Sequence, residues 1–88
     1  MYSLAISPEL DRKLAKLLKK NKKQYEIIMK KAEEILRNPH HYKNLRVPLG
    51  HLKRIHVDKH FVLTFLVDET NKKVVLQDFD HHDLIYKS

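Results

Sequence analysis

The apolar positions change period as the chain advances. Tyr2, Leu4 and Ile6 alternate with Ser3 and Ala5, which predicts a short first strand. Ser7-Pro8-Glu9 then carries three marks of a helix start: a capping hydroxyl, proline at the first helical position and an acid in the first turn. Leu10, Leu14, Leu17 and Leu18 recur at helical spacing, and Asn21 breaks the run. Tyr25, Ile28, Met29, Ala32, Ile35 and Leu36 form a second apolar stripe, which Asn38-Pro39 ends. The two helices are expected to pair as a hairpin.

Residues 38 to 50 read as a loop bounded by Pro39, Pro48 and Gly50. Strands are expected at about 52–57, 60–67 and 73–79, joined by turns at Asp58-Lys59 and Glu69-Thr70-Asn71-Lys72. The tail after them has the length of one helical turn. The order is β-α-α-β-β-β with a short terminal helix. This predicts an α+β fold in which a helical hairpin packs on one face of a mainly antiparallel sheet. Residues 1–88 are read as a single domain.

The net charge of +7 points to a polyanion or to an acidic protein partner. There is no cysteine, hence no disulfide, thiolate zinc site or cysteine nucleophile. The segment MYSLAISPEL lacks the long apolar run of a signal peptide, and no stretch is long enough to span a membrane. A cytoplasmic protein is expected.

Five of the seven histidines fall in residues 51 to 86. Histidine exchanges a proton near neutral pH. Histidines beside cations are the parts needed to cut a phosphodiester without a metal. If the turn at Asp58-Lys59 is tight, Arg54 and His56 share a sheet face with Phe61 and Leu63, while Ile55, Val57, Val62 and Leu66 share the other. The first face would offer cations for phosphates and a ring for a base. The plainer alternative makes Phe61 and Leu63 core and leaves Arg54 and His56 solvated. In the tail, one helical turn would bring His82 and Tyr86 to one side, with Asp80 and Asp83 near enough to orient an imidazole. No His–Asp spacing matches a zinc pattern, so neither metal nor cofactor is expected. Lys19, Lys20, Lys22 and Lys23 form solvated helix faces that can also attract a large nucleic acid. His40 and His41 are expected to be exposed in the loop, and His51 could reach the site from it.

Three segments resemble the RelE/ParE toxin superfamily, and within it the RelE and YafQ branch. Leu45-Arg46-Val47-Pro48-Leu49-Gly50 is similar to the Leu-x-x-Pro-Leu-x-Gly stretch before the second strand. Lys53-Arg54-Ile55-His56-Val57 resembles the basic second strand. His82-Asp83-Leu84-Ile85-Tyr86 is similar to the terminal segment, in which a basic residue precedes an aromatic. The resemblance covers nearly the whole chain and implies a ribosome-dependent mRNA endoribonuclease. Its partners would be the ribosome, mRNA and a small RelB-like antitoxin, with the toxin a monomer within a hetero-oligomeric complex. Arg54 and His56 match the basic positions of the second strand, His82 the terminal histidine of the YafQ branch and Tyr86 the terminal aromatic. His60 falls near an acidic position of that branch. Phe61 stands where RelE-type toxins carry an arginine and YafQ-type toxins an aromatic. The implied catalytic set is Arg54, His56, His60, His82 and Tyr86. Arg46, Lys53, Phe61 and the four helix lysines are the expected RNA contacts. Two alternatives stay open: a ParE-like inhibitor of DNA gyrase, and an inert module that binds RNA or an antitoxin.

Overall fold

The computed structural model describes residues 2–46 and 48–86, Tyr86 by its backbone alone. Strand β1 (Ser3–Ile6) leads into helices α1 (Pro8–Lys20) and α2 (Lys22–Arg37) and a 3-10 turn at Pro39–His41. Strands β2 (Lys53–Val57), β3 (Phe61–Asp68) and β4 (Lys73–His81) follow, and α3 (His82–Tyr86) closes the described chain. The sheet runs β1-β4-β3-β2. β1 is parallel to β4, and the other two pairings are antiparallel.

The local signals place these elements. The Ser7 hydroxyl oxygen accepts from Leu10 N–H at 3.1 Å and donates its own proton to the Gln77 carbonyl at 2.6 Å. One residue thus starts α1 and ties it to β4. Asn21 N–H donates to the Leu17 carbonyl at 2.7 Å, while its side-chain oxygen accepts from Gln24 N–H at 3.1 Å. It ends one helix and caps the next. Leu10 and Leu14 of α1, and Ile28, Ala32 and Ile35 of α2, are buried on the sheet. Leu18, in the predicted stripe of α1, lies outside it at 44% exposure.

The β2–β3 turn corrects the expected register. It holds three residues, Asp58 to His60, and Val57 pairs with Phe61. Asp58 sits at φ 63°, in the left-handed region that Asp tolerates better than most residues. One extra residue turns the following strand over. Ile55, Val57, Phe61, Leu63, Phe65 and Val67 therefore face the helices with Val74, Leu76 and Phe79. Arg54 and His56 share the opposite face with Val62 and Thr64. Phe61 is thus not a ring on the Arg54–His56 face; it stacks on Phe79, centroids 5.2 Å apart.

β4 carries a bulge outside the expected strand pattern. Thr64 pairs with Asp78 but Phe65 pairs with Leu76, so Gln77 is the extra residue. It resolves a conflict in the sequence: Val74 and Leu76 are even-numbered, Phe79 is odd-numbered, and all three join one core. Beyond the bulge, Asp78 and Asp80 both meet Lys13 of α1, at 2.6 and 3.0 Å. The sheet face away from the hairpin is partly roofed by α3 and the loop before β2. Between them lies a cleft of about 310 Å³ lined by Leu45, Leu49, Leu52, Thr64, Gln77, Leu84 and Ile85, among others.

Candidate functional site

The residues with proton chemistry converge at one end of the sheet. Arg54 and His56 alternate along β2 and so project from the same face. His60 ends the β2–β3 turn, His81 ends β4 and His82 opens α3. Two imidazole pairs result. The rings of His56 and His82 are 5.9 Å apart at their centroids and inclined by 24°. Those of His60 and His81 are 5.9 Å apart and nearly parallel, at 5°. His56 and His82, 26 residues apart in the chain, meet because β3 lies between β2 and β4 and α3 turns back from the end of β4.

Of the two carboxylates expected to orient an imidazole, Asp83 stands near the rings of both His82 and His81. Its oxygens lie 3.5 Å from Nδ1 of His82 and 3.8 Å from Nδ1 of His81. Asp80 is engaged elsewhere. Its carboxylate accepts from the His81 backbone N–H at 2.8 Å and from Lys13 Nζ. Partial burial pushes the Asp80 carboxyl up, but those two donors outweigh it and hold it below its usual range. On Lys13, burial is likewise outweighed by the hydrogen bonds to Asp78 and Asp80, so its ammonium is held above its usual range.

The remaining candidates scatter. Lys53 neighbours Arg54 but faces the other way, and its Nζ donates to the Tyr42 carbonyl at 3.1 Å and to Asn44 Oδ1 at 2.9 Å. That ammonium pins the loop before β2. Arg46 is exposed on the same loop, as is His51. Lys19, Lys20, Lys22 and Lys23 are exposed around the α1–α2 junction. The backbone of Tyr86 completes α3 as expected, while its side chain lies outside the described residues. Among the described residues, no group of three or more His, Asp and Glu side chains stands together to hold a metal ion.

His40 is exposed as expected, yet it has partners that the sequence did not signal. Its ring and the Tyr2 hydroxyl both bond the Glu69 carboxylate, and Lys72 Nζ lies 2.8 Å from that carboxylate. The Lys72 hydrogen bond first, then those of Tyr2 and His40, bring Glu69 from 4.5 down to about 2. Glu69 and Tyr2 are 29 and 38 residues from His40, so no local pattern could have found them.

No family model matches the chain. It is 64% identical over 86 residues to an uncharacterized protein of Methanosarcina mazei, covering 98% of this chain and 100% of that one. It is 61% identical over 87 residues to "Putative toxin RelE4" of Methanocaldococcus jannaschii, covering 99% and 93%. Among solved structures, the RelBE2 toxin–antitoxin complex of Mycobacterium tuberculosis aligns with a TM-score of 0.77 at 22% identity, over 92% of this chain and 98% of that one. YafQ of Escherichia coli aligns with a TM-score of 0.74 at 14% identity, over 98% and 99%. With these two relatives matched nearly end to end and the same fold in RelE- and YafQ-type toxins, the chain belongs to the RelE-like toxin superfamily.

Proposed function

We propose that this protein is the toxin of a toxin–antitoxin pair and a ribosome-dependent mRNA endoribonuclease that cuts the message in the A site. The observation that carries the reading is the meeting of His56 and His82 beside the strand position of Arg54. The ribose 2′-OH attacks the adjacent phosphate, the 5′-oxygen of the next nucleotide leaves, and a 2′,3′-cyclic phosphate remains. This needs a base at the 2′-OH, positive charge at the phosphorane and an acid at the leaving oxygen. His56 and His82 form the proton-transfer pair, and Arg54 is the charge at the phosphate. In this scheme one ring serves as the base and the other as the acid. His60 supports the site through its carbonyl, which accepts from His82 N–H at 2.6 Å. Tyr86 is assigned to stacking on a base or orienting the phosphate.

The chemistry uses side chains alone, and we assign no metal. The partner is a RelB-like antitoxin. RelBE2 of M. tuberculosis is itself a toxin–antitoxin complex, and an acidic antitoxin would complement the +7 charge. We place the action in the cytoplasm, where ribosomes and message meet; no described helix is long and apolar enough to cross a membrane.

The test is primer extension on a translated message with purified protein. Breaks at A-site codons are expected, with free RNA cut poorly, since a small site gains most from a ribosome that presents the message in reactive geometry. Intact message together with inhibited gyrase supercoiling would instead select the ParE-like alternative.

A further inference from the structure

α3 has five residues, too few to be stable on its own hydrogen bonds. Its placement depends on what holds its first turn. Two N–H groups there, which a helix cannot satisfy internally, find partners outside it. His82 N–H donates to the His60 carbonyl at 2.6 Å. Asp83 N–H donates to Nδ1 of His81 at 3.2 Å. His81 therefore stands where a capping Ser or Asp would, with a ring nitrogen as the acceptor. A ring nitrogen accepts only when it carries no proton. His81 can cap only as the neutral tautomer protonated on Nε2.

We propose that His81 is a positioning residue: its neutral ring caps α3 and so seats His82 beside His56, and its protonation releases that turn. The inference rests on the reading of His82 as a proton-transfer group. The groups facing His81 define the two states. The His60 ring from the β2–β3 turn lies parallel to it, and Phe61 of β3 meets it edge-on at 5.7 Å. The Asp83 carboxylate of α3 is 3.8 Å from Nδ1. The Asp80 carboxylate accepts from the His81 backbone N–H and is shared with Lys13 of α1. A proton on Nδ1 makes the ring a donor facing the Asp83 N–H donor. The acceptor within reach is then the Asp83 carboxylate, which is 83% exposed. The cap is exchanged for a solvated ion pair, and a cation is left at a helix N-terminus, where the backbone dipoles oppose it.

The experiment pairs hydrogen exchange at the Asp83 amide, corrected for intrinsic rates, with single-turnover cleavage on programmed ribosomes. In the unmodified protein, protection of that amide should fall at acid pH, because a proton on Nδ1 removes its acceptor. His81→Ala should speed the exchange and slow cleavage at neutral pH, each about fivefold, the order expected when a helix cap is removed. His81→Asn caps through an amide oxygen and does not titrate. It should keep cleavage within about twofold and hold protection constant with pH. An Asn variant as impaired as the Ala variant, or an Asp83 amide no faster in His81→Ala, would overturn the proposal. Exchange that follows the expected pattern in a protein that cuts no RNA would support the cap and overturn the nuclease reading.

Discussion

At the residue scale, the proposed chemistry divides the end of the sheet into groups that touch RNA and groups that place them. His56→Ala or His82→Ala should each lower single-turnover cleavage by roughly 10²–10⁴, the usual worth of a positioned acid or base. Arg54→Ala should cost a similar order by removing positive charge from the phosphorane. Lys53→Ala should act on the loop before β2 instead, because its ammonium is bonded to Tyr42 and Asn44. Full activity in a His56→Ala, His82→Ala double variant that keeps its circular dichroism would end the histidine mechanism. Glu69 gives a separate residue-scale expectation. Its carboxyl titrates at about 2 in the folded protein against 4.5 ordinarily. A depressed carboxyl contributes stability that is complete above about pH 4.5 and is lost as pH falls through about 2. Glu69→Gln should therefore make the acid limb of the urea-unfolding profile shallower in that window. Superimposable acid limbs would show that the bonds to Lys72, Tyr2 and His40 add nothing in solution.

At the scale of elements, the Gln77 bulge decides which side chains of β4 reach the core. Deleting Gln77 would leave a regular strand in which Val74 and Leu76 or Phe79, but not all three, face the helices. The expected loss is about 3–5 kcal/mol, the order of removing a buried Phe, read from the urea midpoint. A midpoint equal to the parent's would mean that the strand absorbs the deletion elsewhere. The conflict behind the bulge is present in the sequence itself, as even-numbered apolar residues followed by an odd-numbered one. The local signals were easier to read: Ser7-Pro8-Glu9, Asn21 and Asn38-Pro39 act within a few residues of themselves, and each sits at a helix end. The β2–β3 register was harder, because it turns on whether a loop has two residues or three, settled by one backbone angle at Asp58. That single residue moved Phe61 into the core and gave Arg54 and His56 the opposite face. The pairing of His56 with His82 needed the strand order as well as the motifs, and His81 as a cap needed atomic geometry.

At the scale of the whole molecule, part of the positive charge lies apart from the proposed catalytic groups. Lys19, Lys20, Lys22 and Lys23 lie exposed where α1 meets α2, on elements that carry none of the proposed catalytic groups. With a net charge of +7, the protein should be drawn to ribosomal RNA before any specific fit is made. Each phosphate that a lysine neutralises releases counterions, so affinity falls with salt at a slope set by how many phosphates are neutralised. Replacing the four lysines by glutamine should weaken ribosome binding most at low salt and make the slope shallower by about 1 for each phosphate left without its lysine. Because this charge neutralisation contributes less as salt rises, the variant and parent should converge at high ionic strength. Cleavage of ribosome-bound message at saturating protein should be unchanged, since these lysines act on encounter and not on the phosphorane. Sedimentation of protein with ribosomes over a salt series gives the first quantity, and single-turnover kinetics the second. A variant that binds with the parent's slope but cuts slowly at saturation would place the lysines in the chemistry, and the division between an attracting hairpin and a reacting sheet end would fail.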